Sequence, residues 1–93
     1  MASVRLNHAG IEEICKGATM QAALLEAAQR LADGANSRAA GHEGALHISE
    51  FKKPPYAAHV DVLAHTAVGA AHTNGKMGQL DQAKFKSLSA QVH

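Results

Sequence analysis

Histidine is the residue type with the most evident chemistry in this sequence, which has 93 residues and seven histidines. His59, Asp61 and His65 have equal parity along a β-type run, so their side chains share a face if that run is a strand. Imidazole nitrogen and carboxylate oxygen are both zinc ligands. The two histidines lie at opposite ends of the run, however, too far apart for one ion without a bend.

These three residues are more typical of outward polar positions on a sheet, or of residues that contact another subunit. The sequence contains no H-E-x-x-H motif and no paired C-x-x-C motif. We therefore expect no metal and no other cofactor, and we keep a histidine-based metal-binding protein as an alternative.

A nucleophile is not indicated either. Cys15 is adjacent to Lys16, which favours the thiolate, but it lies near the end of a predicted helix, where the macrodipole disfavours a negative charge. We expect a packed, unreactive thiol. The serines lack a G-x-S-x-G setting, and the acidic residues show no spacing typical of acid–base catalysis. The sequence predicts a protein that is not an enzyme.

A short basic stretch is the remaining candidate for binding. Lys52 and Lys53 precede two prolines and Tyr56, and this group could contact a DNA backbone or a partner's acidic surface. The alternative is a solvated loop. The whole chain has 9 basic and 8 acidic residues and a formal charge of +1, which gives no electrostatic case for binding free nucleic acid.

The composition predicts a thin hydrophobic core. Hydrophobic residues make up 46% of the chain, but 20 of them are alanine, whereas Leu, Ile, Val and Phe together number 18. Burial stabilises by roughly 25 cal/mol per Å² of apolar surface, and alanine has little to bury. A chain of this length forms one domain, residues 1–93, and buries a smaller share of its surface than a larger domain. We expect it to be marginal alone and completed by neighbouring subunits.

Targeting and redox signals point to the cell interior. The sequence has no run of about 18 uncharged apolar residues that could span a membrane. Its N-terminus lacks the apolar block of a secretory signal. The single cysteine excludes an internal disulfide and fits a reducing compartment.

Three helices are predicted. Residues 4–17 form a short opening helix, capped by Asn7 and ended by Gly17. Residues 18–40 form a long helix, and a third helix covers residues 79–91 after an Asn74-Gly75 turn. The long helix has one apolar stripe, with Leu25 at its edge. The stripe consists of Met20, Leu24, Ala27, Ala28, Leu31 and Ala35.

Three strands are predicted between the second and third helices. Residues 45–51 alternate between apolar and polar side chains, which is typical of a strand. Residues 52–55 form an extended exposed loop because of the two prolines. Residues 58–73 form a hairpin in which Gly69 indicates a bulge or a close backbone approach. The order is α-α-β-β-β-α, with the helices packed on one small antiparallel sheet, which is an α+β fold.

Two segments carry a resemblance to a known family. The chain begins with VRLNHAGIEEICKGATMQAALLEAAQRLADGAN, a short strand-like start, a brief helix and a long alanine-rich helix. It closes with VDVLAHTAVGAAHTNGKMGQLDQAKFKSLSAQV, a hairpin, a turn and a helix. This arrangement resembles the small neck proteins of long-tailed double-stranded DNA phages, especially phages of actinobacteria: the tail-completion, head-to-tail joining and tail-terminator proteins. The Lys52–Pro55 loop and the many histidines depart from that pattern.

The resemblance implies a structural virion protein without catalytic activity. Such proteins form rings, usually sixfold and sometimes twelvefold, around the channel through which DNA leaves. The implied partners are other copies of the chain, the adjacent connector and tail proteins, and DNA in the lumen, with no membrane. The implied location is the virion neck, and the host cytoplasm during assembly. No family motif fixes individual functional residues, so the expected contacts to a subunit or to DNA come from the basic stretch and the histidine face, namely Lys52, Lys53, Tyr56, His59 and His65. A small helical nucleic-acid-binding or regulatory module is the other alternative.

Overall fold

A long helix packed on a small antiparallel sheet forms the body of the protein. A computed structural model describes residues 3–9, 18–64 and 66–92. The described elements are, in chain order, β1 (Ser3–Ala9), α1 (Ala18–Ala40), β2 (Tyr56–Val62), β3 (Thr66–Thr73), α2 (Lys76–Phe85) and a 3-10 helix at Ser89–Val92. The α+β class is confirmed, but the order of elements differs from the predicted α-α-β-β-β-α.

The sheet has the order β1-β3-β2, so that the last strand in the chain lies at its centre. Both outer strands run antiparallel to β3, and Gly69 of β3 lies opposite Leu6 of β1 and Val60 of β2. At the tip of the hairpin, the amide of Leu63 donates to the carbonyl of Thr66 at 2.7 Å. The hairpin predicted over residues 58–73 is therefore confirmed, with β2 beginning two residues earlier.

Helix α1 covers one face of this sheet with the stripe that the sequence predicts. Its fully buried positions continue the stripe by one further turn and are all alanines, namely Ala28, Ala32, Ala35 and Ala39. Leu25, at the edge of the stripe, is 42% exposed. The small side chains bring helix and sheet together, because a Cβ on Gly69 would lie 2.7 Å from the carbonyl oxygen of Leu24. The close backbone approach predicted at Gly69 is confirmed.

The core lies under the C-terminal half of α1. A cluster of buried residues there consists of Ala32, Ala35, Ala39, Tyr56, Ala71 and Leu88. Asn36 fixes the helix to the sheet, because its side chain accepts from the amide of Tyr56 at 2.9 Å and donates to the carbonyl of Tyr56 at 3.2 Å. Neither of the described helices is long and apolar enough to cross a membrane.

The start of the chain corrects the predicted opening helix. Residues 3–9 form strand β1 and pair with β3 along their whole length. The alternation of Val4 and Leu6 with Arg5 and Asn7 is a strand pattern, and it outweighs the capping tendency of Asn7. The rest of the predicted helix, residues 10–17 with Cys15, lies outside the described residues.

The strand predicted over residues 45–51 is wrong. This segment is a series of turns, in which the amide of Leu46 donates to the carbonyl of His42 at 3.0 Å and that of Ile48 donates to Glu43 at 3.0 Å. His47 has a φ of 60°, in the left-handed region, which no continuous strand contains. These local bonds satisfy the backbone within the loop, so the short alternation does not lead to pairing with the sheet.

The last helix is shorter and begins earlier than predicted. Helix α2 starts at Lys76, directly after Gly75 with a φ of 91°, and ends at Phe85. Lys86 has a φ of 54° and closes the helix by donating its amide to the carbonyl of Gln82. The chain then turns, so that Leu88 is buried whereas Leu80, predicted on the same apolar face, is 41% exposed.

Candidate functional site

A groove lies between the loop before β2 and the start of α2. Its volume is about 700 Å³, and its floor is apolar, formed by Ile48, Phe51, Pro55 and Met77. Lys52, Lys53 and Lys76 line it together with Glu50, Ser49 and Asn74. We call this feature the lysine groove. It contains both lysines that the sequence singles out and adds Lys76, which sequence reasoning missed because α2 was expected to begin later.

Hydrogen bonds hold both walls of the lysine groove in place. The carboxylate of Glu43 accepts from the amide of Phe51 at 2.9 Å. The side chain of Asn74 donates to the carbonyl of Pro54 at 2.9 Å, and its amide donates to the carbonyl of Pro55 at 2.8 Å. Residues 52–55 therefore form a loop, as predicted, but Pro55 is buried, whereas Lys52 and Lys53 are exposed.

A glycine allows α2 to approach this loop. A Cβ on Gly78 would overlap the carbonyl oxygen of Pro55, which is backbone and cannot move aside. The side chain of Lys53 lies across Gly75, with its Nζ 2.9 Å from where a Cβ would be. Because α2 and the loop are in close contact, residues from both, such as Met77 and Pro55, line the same groove.

Tyr56 does not lie on the surface with the two lysines, which corrects its expected role as an exposed contact. Its side chain is 1% exposed and turns into the core, because it occupies the sheet face that α1 covers. Its hydroxyl donates to Oδ2 of Asp81 at 2.7 Å. Burial, and then the hydrogen bond to the Asp81 carboxylate and its charge, raise the pKa of Tyr56 well above its ordinary value of 10.0.

Asp81 joins three parts of the chain from a fully buried position. Besides the tyrosine hydroxyl, its other oxygen lies 2.8 Å from Nδ1 of His42, whose ring stacks on Phe85 with centroids 3.9 Å apart. A buried carboxylate needs such partners, since desolvation without them is costly. The trio connects the turn after α1, which contains His42, with Tyr56 of strand β2 and Asp81 of helix α2.

Sequence reasoning missed this trio. His42 and Asp81 belong to segments predicted as a loop and a helix, and no spacing relates them to Tyr56. The sequence gives one indication of a buried carboxylate. Asp81 lies four residues before Phe85 and therefore on the same face of the helix as this apolar residue.

The predicted histidine face is assembled differently from the expectation. His59 Nε2 donates to Oδ2 of Asp61 at 3.0 Å, and both side chains are about half exposed. His65 lies outside the described residues, and the neighbour of His59 is His72 of β3, with ring centroids 5.0 Å apart. The hairpin register places His72 opposite Ala57 and His59 opposite Ala70, so the two histidines are diagonal neighbours on one face of the sheet.

Metal binding gains no support from this face. His72 uses Nδ1–H to donate to the carbonyl of Thr73 at 2.9 Å, and His59 already bonds Asp61. Within residues 3–9, 18–64 and 66–92, no group of three or more His, Cys, Asp or Glu side chains could hold a metal ion.

Comparison of the chain with family models, with curated proteins and with solved structures finds no match. The structure itself offers three candidate surfaces. They are the lysine groove, the face of the sheet that carries His59, Asp61 and His72, and the edge of strand β2 that does not pair with β3.

Proposed function

We propose that this chain is a structural virion protein of the neck of a long-tailed double-stranded DNA phage. In this proposal it acts without catalysis, as one subunit of a ring, sixfold or twelvefold, that joins the head connector and the tail around the DNA channel. The resemblance of its two long segments to neck proteins supports the proposal from the sequence. Features of the fold that are typical of an assembly subunit support it independently.

The single observation that carries the proposal is a core built from small side chains. Among the residues whose burial the structure describes, eleven hydrophobic ones are buried: seven of these are alanines, and the larger ones are Leu46, Tyr56, Val68 and Leu88. At roughly 25 cal/mol per Å² such residues contribute little apolar burial each, whereas ordering the backbone costs about 1–2 kcal/mol per residue. A subunit of this kind gains from burying further surface against neighbours.

The shape of the molecule agrees with that need. Its extents are 47 × 21 × 19 Å and its radius of gyration is 14.5 Å. A compact domain of this length has a radius of gyration of about 12 Å. An elongated subunit exposes more surface per residue, and larger apolar side chains remain on that surface, namely Leu25, Val62, Leu63, Leu80 and Val92.

The outer edge of β2 is the surface best suited to joining subunits. No described strand pairs with it. The bonds from Leu63 to Thr66 and from Asn74 to Pro55 fix which amides face β3. In an antiparallel pair the alternate amides point away from the partner strand, and here those are the amides of Ala58, Val60 and Val62. A neighbour's strand could pair with them, and exposed Val62 and Leu63 would be covered in the same contact.

A ring follows if this edge meets a different surface of the next copy, because head-to-tail contacts close around an axis. At the other edge of the sheet lies β1, to which no second described strand pairs, and it runs parallel to β2, since both are antiparallel to β3. Pairing of β2 with β1 of the next copy would continue the sheet from subunit to subunit.

The edge is tested by Val62→Pro with Val62→Thr as its matched control. Proline removes an outward amide without breaking a bond to β3, whereas threonine keeps the amide and the β-branched shape. We expect the proline variant to lower the association constant at least about tenfold, as measured by sedimentation velocity, with far-UV circular dichroism unchanged. Equal association of the two variants would contradict assembly through this edge.

A further inference from the structure

We infer that the lysine groove binds an acidic peptide segment of another protein, with an apolar side chain of that segment lying on the groove floor. The inference does not depend on the ring, because none of the residues that line the groove belongs to β2. It assigns this surface a ligand class, namely a chain that carries carboxylates next to bulky apolar residues.

The charge of the groove favours an acidic ligand. Lys52, Lys53 and Lys76 all line it, and within the described part of the chain none of the three forms an ion pair. Glu50 also lines the groove, so that the four side chains together carry an excess of two positive charges. The whole chain has a charge of only +1, so the groove concentrates positive charge that the rest of the surface balances.

The floor of the groove favours a peptide over nucleic acid. Ile48, Phe51, Pro55 and Met77 offer aliphatic, thioether and aromatic surface that suits a buried apolar side chain. A nucleic-acid strand would instead use exposed aromatic rings on which its bases stack. Phe51 is partly buried and packs against the core cluster, and Tyr56 is buried, so neither ring is fully exposed for a base to stack on.

The groove is also preformed. Its loop is held by the bonds of Glu43 and Asn74 to backbone atoms of residues 51–55, and Gly78 brings α2 against the carbonyl of Pro55. A ligand that enters a preformed groove avoids the cost of ordering it.

The experiment uses the full chain and a fluorescein-labelled peptide that repeats Glu-Leu-Glu-Phe, with binding followed by fluorescence anisotropy. The controls are a Lys-Leu-Lys-Phe peptide and labelled polydeoxythymidine. Lys52→Glu changes the charge at the groove, and Lys84→Glu makes the same change at an exposed position of α2 outside it. Met77→Gln makes the apolar floor of the groove more polar, and Leu80→Gln makes a similar change at an exposed residue of α2 outside the groove.

We expect the acidic peptide to bind and the basic peptide not to bind. Lys52→Glu should weaken binding of the acidic peptide about three- to tenfold, and Lys84→Glu should leave it within about twofold. Met77→Gln should weaken binding more than Leu80→Gln does. Equal effects within either pair, or equal binding of the two peptides, would overturn the inference.

Two further outcomes would also overturn it. Tighter binding of polydeoxythymidine than of the acidic peptide, lost in Lys52→Glu, would assign the groove to nucleic acid. Self-association of the chain that is lost in Lys52→Glu but kept in Lys84→Glu would assign it to a second copy. Failure of the ring with binding of the acidic peptide intact would leave the inference standing, so the two proposals fail separately.

Discussion

Asp81 is the residue on which the polar part of the core depends. Its two oxygens are occupied by Tyr56 and His42, residues that come from different ends of the fold. Such a network is specific as well as stabilising, because moving α2 by one turn would leave a carboxylate buried without a partner. The trio therefore fixes how α2 lies against the sheet, and with it the position of the lysine groove.

The raised pKa of Tyr56 predicts a loss of stability at alkaline pH. The unfolded chain ionises this residue at its ordinary value near 10.0, whereas the folded chain keeps it neutral. Its contribution is thus complete below pH 10 and falls as the pH rises above it, by up to about 1.4 kcal/mol per pH unit. Urea unfolding at several pH values measures the decline.

Tyr56→Phe is the control for this prediction, since it removes the ionising group. Its free energy of unfolding should depend less steeply on pH above 10 than that of the parent chain. Tyr56 is the single tyrosine and the chain has no tryptophan, so tyrosinate absorbance reports on it alone. Ionisation of Tyr56 near pH 10 while circular dichroism remains folded would contradict the buried position.

At the scale of elements, the sequence predicts correctly the helices and strands that a local residue pattern determines. Helix α1 has the predicted bounds, because a stripe maintained from Met20 to Ala35 outweighs any competing signal. The hairpin follows from its β-branched residues. The turn at Asn74-Gly75 follows from the ease with which glycine adopts a positive φ, as Gly75 does here. Of the residues that line the groove, the sequence indicates Lys52 and Lys53, because the two prolines that follow them predict an exposed loop.

The remaining elements depend on contacts that no short pattern contains. Strand β1 gains its place by pairing with a strand about sixty residues later, which outweighs a local cap. Residues 45–51 alternate like a strand, but bonds back to His42 and Glu43 satisfy them locally. The Asp81 trio and the third lysine of the groove follow only from the packing of α2 against the loop.

Gly69→Ala tests the close packing of α1 on the sheet. The added Cβ would meet backbone, the carbonyl oxygen of Leu24, at 2.7 Å, so helix and strand must separate. We expect a loss of about 1–3 kcal/mol in the free energy of unfolding, measured with urea. Gly44→Ala is the matched control, because nothing lies within 4 Å of its Cβ. Similar stability of the two variants would show that the interface tolerates a wider spacing.

At the scale of the whole molecule, a single subunit buries too little apolar surface to be robust alone. The alanine-rich core and the unpaired sheet edge of the described residues, and the elongated shape, are all explained if neighbouring copies supply the missing burial. A protein that is stabilised by association also becomes more heat-resistant as its concentration rises, because mass action favours the assembled state.

The most direct test is the mass of the purified chain by sedimentation equilibrium, from about 1 μM to about 100 μM. We predict a closed assembly whose mass is a fixed multiple of the subunit mass, six being favoured, and whose population grows with concentration. A chain that keeps the mass of one subunit throughout this range, with a melting temperature that does not change, would contradict the account.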